Sequence, residues 1–102
     1  MQHPHAFEKL VEVIRRAQDV GIRGGTLWTL TQLGDTARAV AFLGDMAASS
    51  DPIAPSAIQY LSMDTGEAGF VVLRRLSETD AVVHPHAREH LEALASVRGW
   101  KR

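Results

Sequence analysis

Residues 55–76 read PSAIQYLSMDTGEAGFVVLRRL, and what this stretch becomes decides the fold. Pro55 has a ring-fixed φ suited to the first position of a helix, where its missing N–H would have no partner anyway. Ile58 and Leu61 then form the buried pair of that helix. Asp64 followed by Glu67 has capping-box spacing, which starts a second helix at Thr65. Ala68, Val72 and Leu76, with Val71 and Leu73 beside them, make its expected inner face. Phe70 leaves this second helix apolar nearly all round. Such a helix is buried in something, either its own core or a second chain.

Working outward, SETD (77–80) ends the second helix and AVV (81–83) is a candidate short strand. A last helix runs from Pro85 to Arg98 with Ala87, Leu91, Leu94 and Ala95 inward, and Gly99 stops it. Toward the N-terminus, Pro4 to Val20 carries Phe7, Leu10, Val11, Ile14 and Ala17 as one helical stripe, with Glu12 and Arg16 favourably four apart. Gly21 and then Gly24-Gly25 are expected to stop that helix. TLWTLTQL (26–33) fits a helical turn or a strand and is read as helix, with Trp28 in the core. Asp35 is the expected N-cap of a helix to about Ala48, with Ala37, Val40, Ala41, Leu43 and Ala47 inward. SSDP (49–52) is a turn. The expected fold is mainly α, five or six helices with at most two short strands, and a single domain over 1–102.

Composition narrows the class. The 102 residues are 45% hydrophobic and 23% charged, the balance of a globular domain rather than a disordered chain. No apolar run approaches the roughly 20 residues that cross a bilayer. With no cysteine there is no disulfide, thiolate nucleophile or zinc-thiolate site. The expected location is the cytoplasm, with no membrane partner. The net charge of −1 is unevenly spread. Residues 26–83 carry three arginines against seven carboxylates, whereas both ends are mildly basic.

All five histidines fall in two copies of one motif, HPHAFEKL (3–10) and HPHAREHL (84–91). Pro4 and Pro85 suit helix starts, and Glu8 and Glu89 lie near the positive helix end. His86 and His90 are four apart on one helix face, a spacing that lets two imidazoles reach one metal ion. No carboxylate completes a ligand set, so no metal or other cofactor is expected. No nucleophile–base set or phosphate loop stands out either, because GIRGGT (21–26) lacks the P-loop lysine. The chain is read as non-enzymatic.

From residue 40 to 83 the order of features resembles a winged helix-turn-helix domain of the broad bacterial regulator type. VAFL (40–43) matches the end of the first core helix, SAIQYLSMD (56–64) the positioning helix, TGEAGFVVLRRL (65–76) the recognition helix and AVV (81–83) a first wing strand. The resemblance implies a DNA-binding transcriptional regulator that contacts DNA through Thr65, Glu67, Arg74 and Arg75. The chain departs from the pattern in two places. The last helix anchor is Leu76 where the pattern expects position 75, and Pro85 opens a helix where the wing should return. The reading is then a reduced wing with an added C-terminal helix.

Electrostatics ranks the functions. Duplex DNA is held largely by Lys and Arg at phosphates and read by polar donors and acceptors. The exposed first turns of the second helix offer Thr65, Gly66, Glu67, Gly69 and Phe70, set in an acidic region. Large side chains and arginines anchor protein interfaces instead. The first expectation is a protein-interaction or regulatory module that binds a partner protein, or itself as a homodimer, through Phe70, Arg74, Arg75 and Trp100. DNA binding stands second, and histidine-based metal binding through His86 and His90 third.

Overall fold

In the computed structural model residues 5–100 are described. They form six helices: α1 (Ala6–Arg16), α2 (Val20–Thr31), α3 (Thr36–Ala48), α4 (Ala54–Met63), α5 (Gly66–Ser77) and α6 (Pro85–Arg98). No strand occurs among the described residues, so the protein is mainly α, as its apolar periodicity required. No helix among them is long and apolar enough to cross a membrane.

The short helix α4 is the hub. It packs against α2, α3, α5 and α6, while α1 lies against α2. Ala54 and Ala57 are small enough for neighbours to close on α4, and Ile58 and Leu61 fill the space between them. One apolar cluster draws on all six helices, from Phe7 and Ile14 through Leu43 and Ile58 to Leu73 and Leu91. Each fully buried Leu or Ile contributes about 1.5–3 kcal/mol of transfer free energy. The fold therefore depends on this cluster more than on the propensity of any one helix.

The N-terminal boundaries differ from the sequence reading. α1 ends at Arg16, where Ala17 turns extended, and Asp19 caps α2 by accepting a hydrogen bond from the Ile22 N–H at 3.0 Å. Gly21, Gly24 and Gly25 therefore lie inside α2 rather than ending a helix. Each glycine weakens a helix by about 1 kcal/mol relative to alanine. The Asp19 cap and the burial of Leu27 and Leu30 outweigh that. Trp28, expected inside, is 46% exposed. The expected start at Pro4 lies outside the described residues.

Arg23 explains why the chain turns between α1 and α2. Its Nε–H donates to the Ile14 carbonyl, and its two terminal nitrogens grip Asp51 at 2.9 and 2.6 Å. Asp51 also accepts the Ile53 N–H at 3.0 Å. One guanidinium thus ties the end of α1, the body of α2 and the α3–α4 turn. Burial alone would raise the Asp51 carboxyl. The hydrogen bonds from Arg23 and Ile53, with the charges of Arg23 and more weakly His84, hold it below its ordinary value.

Further along, Asp35 caps α3 as expected, through the Arg38 N–H at 3.3 Å. Its buried face is set by Ala39 and Phe42 beside Val40, Leu43 and Ala47, whereas Ala37 and Ala41 are exposed. Pro55 is the second residue of α4. The capping box at Asp64–Glu67 does not form. Asp64 ends α4, and the Thr65 hydroxyl donates back to the Leu61 carbonyl at 2.9 Å. Gly66, at φ 62°, makes the turn in a left-handed conformation.

α5 is rotated by one residue from expectation. Gly69, Leu73 and Ser77 are buried, Val72 and Leu76 are half-buried, and Ala68 and Val71 face solvent. The cause is a close approach of α4. A Cβ on Gly69 would stand 2.1 Å from the Leu61 carbonyl oxygen and 1.9 Å from the Thr65 hydroxyl. Residues 81–83 are irregular, not a wing strand: Val82 is buried and its carbonyl accepts from Arg88 at 3.1 Å. α6 runs from Pro85 to Arg98 as expected, closed by Gly99 at φ 72°.

Candidate interaction surface

Phe70, Arg74 and Arg75 come from α5 and Trp100 from just beyond α6, and the end of α6 brings Phe70 and Trp100 together. Gly99, in its left-handed conformation, donates to the Ser96 carbonyl at 3.3 Å, and Trp100 N–H donates to the Ala95 carbonyl at 2.9 Å. This pair of bonds is a Schellman motif, which turns the chain back on its own helix. Trp100 is thereby laid against α5, edge-on to Phe70 with ring centroids 6.5 Å apart. The last residue of α6 completes the group. The Arg98 guanidinium lies 3.6 Å from the Phe70 ring centroid and 5.9 Å from that of Trp100.

Both aromatic rings are half-buried and pack against the core, so part of each is structural. Their remaining faces, with Arg98, form a cationic and aromatic surface. Arg74 lies four residues beyond Phe70 and shares its face of α5; Arg75 lies about 100° further round the helix. Arg74 and Arg75 are exposed, and neither they nor Arg98 form an ion pair among the described residues. The arrangement contrasts with a second one between α1 and α3. There Phe7 and Phe42 also meet edge-on, at 6.4 Å, under Arg38 and Arg15. Both of those rings are buried, and Arg38 is neutralised by Glu8 at 2.7 Å and by Asp35. The Arg38 hydrogen bond lowers the Glu8 carboxyl below its ordinary value, helped by the Glu8 backbone N–H. The two clusters differ in burial: the inner rings lie in the core, whereas the outer rings keep exposed faces beside Arg98, which, like Arg15, forms no ion pair among the described residues.

Arg98 was not among the expected contact residues, although the Gly99–Trp100 pair after it marks the reversal that matters. The residues expected to touch DNA fare differently. The Thr65 hydroxyl is engaged by Leu61, and Glu67 and Ala68 present one negative and one apolar side chain at the start of α5. Arg74 and Arg75 stand two turns in.

The histidines also divide. His84 caps α6: its Nδ1 accepts the His86 N–H at 3.2 Å, so this member of the repeat has a local structural task. His86 is exposed and lies 3.8 Å from Glu89. No group of three or more His, Asp or Glu side chains gathers around His86, His90 or anywhere else among the described residues. The described part of the first copy, residues 5–10, leads into α1, which packs on α2, whereas the second copy opens α6, which packs on α4 and α5. Comparison with known protein families, curated proteins and solved structures finds no match.

Proposed function

We propose that this chain is a non-enzymatic interaction module that holds an acidic segment of a partner protein on the surface formed by Phe70, Arg74, Arg98 and Trp100. One observation carries this reading. The Arg98 guanidinium lies over the Phe70 ring at 3.6 Å and within 5.9 Å of that of Trp100, with no ion-pair partner among the described residues. Aromatic and arginine side chains are the groups that most often dominate binding energy at protein interfaces. An arginine already ordered by an aromatic face loses less side-chain freedom when a carboxylate arrives. The partner is then an acidic stretch with one apolar side chain to cover the exposed ring edges. Selection from a displayed-peptide library tests this. Recovered peptides should be rich in Asp and Glu around an apolar anchor and should lose binding to Arg98→Ala. Basic or purely apolar peptides would argue against it.

A second reading, a DNA-binding regulator, rests on the tight turn of two residues, Asp64 and Thr65, between α4 and α5, close to the short connection of a helix-turn-helix. It has fewer favourable groups, since the exposed start of α5 carries Glu67 and no basic or amide side chain. A gel shift that is steeply salt-dependent and abolished by Arg74→Ala with Arg75→Ala would place it first.

A further inference from the structure

α5 and α6 both pack on α4 and run in opposite directions, so the start of α5 meets the end of α6 at Phe70 and Trp100. The other end of the pair is built differently. There Leu76, Val82 and Leu91 line a cleft of about 270 Å³, its open mouth included, with Ser77, Thr79 and Arg88 at its edges. These polar edges are already engaged. The Ser77 hydroxyl donates to the Arg74 carbonyl at 2.7 Å, and the Thr79 hydroxyl donates to the Leu76 carbonyl at 3.2 Å. The Arg88 Nε–H donates to the Val82 carbonyl at 3.1 Å. What the cleft offers a visitor is therefore chiefly its aliphatic lining. Its closed part has room for little more than one water-sized group, which suits a methyl or isopropyl branch and excludes an aromatic ring.

Charge distinguishes the two ends as well. Arg74 and Arg98 stand at the Phe70 end without an ion pair among the described residues. The cleft end carries Glu92 on its wall, and Glu78 and Asp80 just beyond α5, against Arg88 alone. The groove is thus cationic at one end and mainly anionic at the other.

We infer that the cleft takes a small aliphatic side chain of the acidic segment proposed above, at a fixed distance from the acid that Arg98 holds. The inference rests on that reading and adds to it a second contact, beyond the apolar residue over the rings. Charge complementarity sets the order of the segment. Its acid belongs at Arg74 and Arg98, and Glu92 repels a second acid beside the aliphatic residue. Helix geometry sets the spacing. Phe70 to Ser77 and Arg98 to Leu91 are each seven residues, about 10 Å along their helices. An extended chain covers about 10 Å in three residues. The segment therefore carries a valine or alanine three positions from its acid.

Selection from a displayed library of random peptides tests this, run in parallel on the wild-type chain and on Arg98→Ala, Leu76→Phe and Glu92→Lys. Wild type should recover peptides with Asp or Glu and, three positions away, Val or Ala favoured about tenfold over Phe or Trp, the scale on which an apolar pocket sorts side chains by size. Leu76→Phe narrows the cleft and should keep the acid but lose the aliphatic preference. Glu92→Lys, at an exposed position, should keep both and admit a second acid beside the aliphatic residue. Acidic peptides that depend on Arg98 but show no aliphatic preference at that spacing overturn this inference alone. So does a preference that Leu76→Phe leaves unchanged. Glu92→Lys keeps the test decisive should Leu76→Phe fail to fold, because unchanged residues beside the aliphatic position also overturn the inference. Recovery of no acidic peptides overturns it together with the reading it rests on.

Discussion

At the scale of single residues, two positions carry more of the fold than their chemistry advertises. Gly69 is fixed by the Leu61 carbonyl, which a Cβ would contact at 2.1 Å. That atom is backbone and cannot swing aside, so Gly69→Ala must push α4 and α5 apart. The expected loss is about 3 kcal/mol, at the upper end of overpacking effects, read from urea denaturation. Gly25→Ala, with open space around it, should be stabilising by about 1 kcal/mol, so the two glycines give opposite signs. Arg23 is the other such position. Arg23→Ala leaves the Ile14 carbonyl and the Asp51 carboxylate without their donor, and a loss of about 2–3 kcal/mol is expected. Neither role was legible in the sequence. Gly69 matters only because a second helix is near, and Arg23 meets a residue 28 positions away.

At the scale of elements, legibility followed how local the signals are. α6 was read correctly at both ends because Pro85 and Gly99 act within a turn of where they stand. α3 was read correctly at its start for the same reason, through Asp35. α2 was missed as one helix because three glycines weigh against it locally, whereas Asp19 and the core decide for it. The inner face of α5 was off by one residue because it is set by contact with α4, not by α5's own pattern. The α6 terminus yields an expectation of its own. Gly99→Val forces a β-branched residue into the left-handed region and should destabilise by about 1–2 kcal/mol. It should also shift Trp100 fluorescence to the red in a Trp28→Phe background, as Trp100 leaves Phe70. His84→Ala removes the α6 cap and is expected to lower stability by about 1 kcal/mol.

At the scale of the whole molecule, the sequence carried the identity of most candidate contact residues but not their meeting. Phe70 and Trp100 were singled out from type and position alone. Their contact depends on the reversal at Gly99, and the share of Arg98 in it depends on that same turn. Acid stability is a property of the same whole. The folded-state carboxyl of Asp51 lies below its unfolded value of about 3.9. Its stabilising contribution is therefore fully present above that pH and is lost as pH falls through the folded value. Asp51→Asn should flatten this acid limb in a pH series of denaturation midpoints, and an unchanged limb would remove Asp51 from the account.

The cation–aromatic surface is tested most directly by titrating an acidic, library-selected peptide into the Trp28→Phe protein while following Trp100 emission. Saturable quenching is expected, weakened at least tenfold by Arg98→Ala and progressively by added salt. Equal affinity for Arg98→Ala and the parent protein, at any salt concentration, would contradict it.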